Sequence, residues 1–128
     1  MRLKEGTDRD VAIFTLEGEI DLHYAPGLRA LFQAKTKART PALVLDLTGV
    51  PYIDSTGLAA IIEYFRDACG FSGILCLAGL NDQLKSIFKI VRLDKAIPMF
   101  ETAKDAVDAI EQGSIQPASP ALFGRSAA

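Results

Sequence analysis

The sequence is poor in metal ligands and in positive charge. Its 128 residues hold one histidine, His23, and two cysteines, Cys69 and Cys76. That set cannot build a four-ligand zinc shell, and so sparse a cysteine pattern does not imply a disulfide framework. Both cysteines are expected as free buried thiols. The formal net charge is −2, which excludes the strongly basic face of a nucleic-acid binder. Long apolar runs are missing too. Asp46 and Asp54 interrupt the apolar stretches well short of the ~20 residues that cross a membrane. Residues 1–10 are charged rather than apolar, unlike a signal peptide. Neither a Walker A loop nor a dinucleotide glycine fingerprint occurs, so no nucleotide cofactor is implied. A soluble, cytoplasmic chain with no metal, no cofactor and no membrane insertion is expected.

What is present is apolar patterning, with 49% hydrophobic residues, enough for one domain with a core of its own. Residues 11–16 are rich in strand formers. A shorter strand is expected near residues 2–4, turning at Glu5-Gly6-Thr7-Asp8. Tyr24, Leu28, Leu31 and Phe32 follow at helical spacing, with Pro26 suited to a first turn. Lys35, Lys37 and Arg39 lie where a helix C-terminus favours cations. Residues 42–47 form a nearly continuous apolar run, expected as a strand covered on both faces.

Leu58, Ile61, Ile62, Phe65 and Cys69 then mark one face of a helix, which Gly70 is expected to cap. Residues 73–78 read as a further buried strand. Leu84, Ile87, Phe88 and Val91 mark a third helix, and residues 97–100 a last strand. Thr102 opens a fourth helix with Ala103, Ala106, Val107 and Ile110 inward. Alternation of this kind predicts an α/β fold with helical crossovers: a mixed, mostly parallel sheet of four to five strands with four helices. Residues 1–112 are expected to form the domain, and 113–128, rich in Gly, Ser and Pro, a flexible tail.

Asp54-Ser55-Thr56-Gly57 lies between the strand at 42–47 and the second helix. It places a small hydroxyl at a helix N-terminus, where N–H groups lack partners and the dipole is positive. A phosphate is well tolerated at such a position. Hydrolysis at Ser55 has little support. The nucleophile elbow needs a glycine two residues before the serine, where Ile53 stands, and a histidine late in the chain, whereas His23 lies upstream. Asp54 or Ser55 has a second role open to it, capping the helix. Asp21 follows a strand and either caps the next helix or lines the same rim as Ser55.

Three segments, Leu16-Glu17-Gly18-Glu19-Ile20-Asp21, Leu45-Asp46-Leu47-Thr48-Gly49-Val50 and Ile53-Asp54-Ser55-Thr56-Gly57-Leu58, occur in the order and spacing of a STAS domain. The chain resembles the anti-sigma factor antagonists of that family from Leu3 to about Glu111. The resemblance implies a non-enzymatic partner-switching module. Ser55 would be phosphorylated by a serine kinase that is also the anti-sigma factor, and a serine phosphatase would reverse this. The unphosphorylated form would bind the kinase and free the sigma factor. Asp21, Asp54, Ser55, Thr56 and Gly57 match the partner-facing rim. Tyr24 departs from the pattern, standing where the family often has a small hydroxyl or amide residue. The alternatives are a constitutive STAS subunit of a transporter-associated or signalling scaffold complex and, behind it, a small hydrolase.

Overall fold

Alternating burial divides the second strand between two faces, with Ala12, Phe14 and Leu16 on one and Val11 and Ile13 on the other. The same division runs through the whole sheet in the computed structural model, which describes residues 1–119. The elements are β1 (Arg2–Asp8), β2 (Val11–Glu17), α1 (Ala25–Lys37), β3 (Ala42–Gly49), α2 (Ser55–Phe71), β4 (Ile74–Ala78), α3 (Asp82–Ile90), β5 (Met99–Phe100) and α4 (Ala103–Glu111). The strands lie in the order β1-β2-β3-β4-β5. β1 runs antiparallel to β2, and the other pairs are parallel. This is the expected α/β fold with a mixed, mostly parallel sheet and four helices.

β3 shows why a continuous apolar run makes a central strand here. Leu43, Leu45 and Leu47 face the core shared with Leu28 and Phe32 of α1, Ile61 and Phe65 of α2, and Leu84 and Phe88 of α3. Ala42 and Val44 face the opposite way, toward Ala106 and Val107 of α4. Both faces are thus covered, as parallel strands require. No helix among the described residues is long and apolar enough to cross a membrane.

Several boundaries differ from the sequence reading. β1 does not turn at residues 5–8 but runs on to Asp8, and the hairpin closes at Arg9-Asp10, both with positive φ (50° and 66°). A two-residue loop with positive φ matches the twist of the flanking strands. Gly70 does not cap α2. The helix continues through it, and Ser72 takes the left-handed conformation at φ 56°. The buried face of α2 is centred on Gly57, Ala60, Ile61, Tyr64, Phe65 and Ala68, with Leu58, Ile62 and Cys69 flanking it. Cys76 is buried and Cys69 only half-buried, both free, and burial pushes the Cys76 thiol up to about 12. The last strand is shortened to Met99–Phe100, because Ile97 lies buried in the preceding turn.

The segment after α4 packs back onto the domain. Ile115 lies against the core on the α4 side, and Ala118 is buried in the core on the other side. The Ala118 N–H donates to the Gly73 carbonyl at 2.7 Å. The expected flexible tail therefore does not begin at Gly113, because residues 115 and 118 have apolar cover to bury. Residues 120–128 lie outside the described residues.

Candidate functional site

The site is built from two loops that leave neighbouring strands. The chain after β2 and the chain after β3 stay paired beyond the sheet through a parallel bridge between Ile20 and Ile53. The Ile20 N–H donates to the Tyr52 carbonyl at 3.1 Å, and the Asp54 N–H to the Ile20 carbonyl at 3.0 Å. Both loops are thereby held at the C-terminal edge of the sheet, where an α/β fold gathers its functional loops.

Asp54 is the N-cap of α2, with extended backbone. Its Oδ1 accepts from the N–H groups of Thr56 and Gly57, each at 2.9 Å, and from the Thr56 hydroxyl at 2.6 Å. Its Oδ2 accepts from the N–H of Leu22 at 2.9 Å. One carboxylate thus caps its own helix and ties down the opposite loop. These donors favour the ionised form, and they hold the Asp54 carboxyl below its ordinary range, the Thr56 hydroxyl contributing most.

Ser55 is the first residue of α2 and is exposed. Its hydroxyl makes no hydrogen bond among the described residues. Thr56 is half-buried, with its hydroxyl spent on Asp54. Gly57 is buried, and a Cβ there would lie 2.6 Å from Ile20 Cγ2 and 2.7 Å from the Ile20 carbonyl oxygen. The missing side chain serves the close approach of α2 to the loop after β2.

Asp21 settles its open alternative by combining both roles. Its Oδ1 accepts from the N–H groups of His23 (3.0 Å) and Tyr24 (3.3 Å), and its carbonyl accepts from Tyr24 and Ala25. It turns the chain into α1, whose N-cap residue Tyr24 makes no side-chain cap bond. Because Leu22 is bonded to Asp54, that turn stands on the same rim as Ser55. His23 packs edge-on against the Tyr24 ring at 4.8 Å and makes no bond to Ser55, so no general base is in place for hydrolysis.

The sequence reading missed the apolar surroundings of Ser55. Leu22, Tyr24 and Tyr52 are 69%, 39% and 41% exposed. Large apolar residues inside the two loops that flank Asp21 and Asp54 are the signal that marks them. Asn81 was also missed as a rim residue. It caps α3 by accepting from the Leu84 N–H, and its side-chain amide donates to the Pro51 carbonyl at 3.3 Å.

The STAS domain family matches residues 3–106. The chain is 33% identical over 97 residues to an anti-sigma-B factor antagonist of Listeria monocytogenes, covering 76% of this chain and 84% of that protein. It is 29% identical over 105 residues to the anti-sigma-F factor antagonist RsfB of Mycobacterium tuberculosis, covering 82% and 85%. The crystal structure of an anti-sigma factor antagonist from Mycobacterium paratuberculosis superposes with a TM-score of 0.78 at 25% identity, covering 86% of this chain and 93% of that one. With its sheet order, its stitched loops and a family match over most of its length, the chain belongs to the STAS domain family.

Proposed function

We propose that this protein is an anti-sigma factor antagonist, a non-enzymatic cytoplasmic binding module switched off by reversible phosphorylation of Ser55. Its partners on this reading are an anti-sigma factor that is also a serine kinase, and a serine phosphatase. The observation that carries the reading is the state of the two hydroxyls. Ser55 is exposed and unbonded at the start of α2, whereas the Thr56 hydroxyl is engaged by Asp54. The names of the Listeria and Mycobacterium relatives support the antagonist part of it.

The geometry also supports a switch that needs no refolding. Asp54 already occupies the N–H groups of Thr56 and Gly57 that a phosphate would otherwise draw on. A phosphate on Ser55 therefore stays on the surface, where it adds a charge of about −1.5 to −2 beside the Asp54 carboxylate. Desolvating that charge in a protein contact is costly. A loss of only about 2.7 kcal/mol weakens binding ~100-fold.

The test is to incubate the full chain with purified anti-sigma factor kinase and ATP, locate the phosphate by mass spectrometry, and measure affinity before and after. One phosphate on Ser55, with weakened binding, is expected. A phosphate on Thr56 overturns the assignment. Equal affinity of the two forms leaves a constitutive STAS subunit as the better account.

A further inference from the structure

Five large apolar side chains are conspicuously exposed among the described residues: Leu22, Tyr24, Tyr52, Ile90 and Val91. The first three belong to the two loops that Ile20 and Asp54 stitch together around Ser55. We propose that Leu22, Tyr24 and Tyr52 form an apolar docking collar around Ser55, which fits a predominantly apolar surface of the anti-sigma factor. This inference rests on the function proposed above and names the chemistry of its contact.

Two observations carry it. The collar is held in place before any partner arrives. The Leu22 N–H is fixed by Asp54 Oδ2, the Tyr52 carbonyl accepts from Ile20, and the Tyr24 ring is braced by the edge of His23. A partner then avoids part of the cost of ordering a loop. The second observation is charge. Residues 17–28 and 49–58, which contain both loops, include no lysine or arginine, and their charged side chains are the carboxylates of Glu17, Glu19, Asp21 and Asp54. A Ser55 phosphate meets no cation from these loops and would be surrounded by apolar contact surface when the partner docks. A doubly charged group in such an interface disrupts it. The collar thus supplies both affinity and the reason that one phosphate abolishes it.

The probes are the anti-sigma factor kinases encoded in the source genome, purified and titrated one at a time against the full chain by calorimetry. Leu22→Ser and Tyr24→Ser change exposed side chains and leave the Leu22 N–H and the fold in place. Serine at position 24 also gains a helix-capping hydroxyl. Each is expected to weaken binding about tenfold or more, as truncation of an interface anchor does, while Ile90→Ser changes affinity less than about twofold. The penalty of Ser55 phosphorylation, read as the affinity ratio of the two forms, is expected to shrink in the Leu22→Ser/Tyr24→Ser double variant.

Unchanged affinity in both collar variants, with wild-type binding and Ser55 phosphorylation intact, overturns the collar and leaves the proposed function standing. Absence of binding and phosphorylation with every kinase overturns the function, and the collar falls with it. Sedimentation showing that the collar variants dissolve a wild-type dimer assigns the patch to a second copy and overturns the inference.

Discussion

Asp54 and Leu22, separated by 32 positions in the chain, are joined by a 2.9 Å hydrogen bond from the Leu22 N–H to Asp54 Oδ2. The other oxygen of the same carboxylate caps α2. A single side chain therefore sets where the helix starts and where the neighbouring loop stands, so Ser55 and the apolar residues around it keep one relative geometry.

This double duty makes the site acid-sensitive. Donors from Thr56, Gly57 and Leu22 depress the Asp54 carboxyl in the folded chain. A depressed carboxyl contributes stability that is present above its unfolded value of about 3.9 and is lost as pH falls through the folded value. Arg9 and Lys104 depress Asp108 in the same direction. Urea midpoints measured from neutral pH down to pH ~3 should fall in the wild type. Asp54→Asn should start from a lower midpoint at neutral pH and lose less on acidification. Parallel profiles would show that the Asp54 contacts contribute nothing in solution.

Much of this arrangement was legible in the sequence, and the exceptions have physical causes. The apolar run from Leu43 to Leu47 announces a strand covered on both faces, and Asp54 just before a helical repeat announces a cap. The bond from Asp54 to Leu22 is not legible, because it joins a side chain to a backbone amide, and any residue but proline supplies that amide. The Arg9-Asp10 turn was hidden because neither residue is glycine, while Gly6 nearby drew the turn toward itself. Tyr64 looked like a residue for the helix surface. It lies in the core because its ring stacks on Phe32 at 5.0 Å, a contact between helices that spacing within one helix does not reveal.

Gly57 is a case where structure changes the expectation. From sequence, the glycine admits a close partner, so that Gly57→Val would harm binding more than folding. The space beside it is filled by Ile20 of the same chain instead. Gly57→Ala should destabilise by about 1–3 kcal/mol, as overpacking at a close contact does, and Gly57→Val by more. Chemical denaturation checks this. A valine variant with a wild-type midpoint would mean that α2 moves away from Ile20 at little cost, and the glycine would return to the interface.

The segment after α4 gives a third prediction. Ile115 and Ala118 pack on opposite sides of the sheet, and Ala118 covers the Gly73 carbonyl. Truncation after Gln112 should lower stability by about 1–3 kcal/mol, from lost apolar burial and one lost hydrogen bond. Ala118→Asp should approach that loss without shortening the chain, since it brings an unpaired charge to a buried position. If the truncated chain unfolds at the wild-type midpoint, residues 113–119 are a passive extension after all.

The last prediction separates charge from shape at Ser55. Ser55→Ala removes a hydroxyl that makes no bond among the described residues. It should bind the anti-sigma factor about as well as the unmodified protein and should not be phosphorylated. Ser55→Asp places one charge where phosphate places nearly two, with two acceptor oxygens in place of three. It should weaken binding in the same direction and by less. The Asp54 cap remains filled in both variants, so their unfolding midpoints should stay close to wild type. Calorimetry should then rank the affinities as alanine and unmodified serine first, aspartate next and phosphoserine last. If alanine binds as weakly as phosphoserine, the hydroxyl itself is a contact, and the switch works by removing that contact rather than by burying charge. If all four forms bind alike, Ser55 lies outside the interface and the phosphate has nothing to repel.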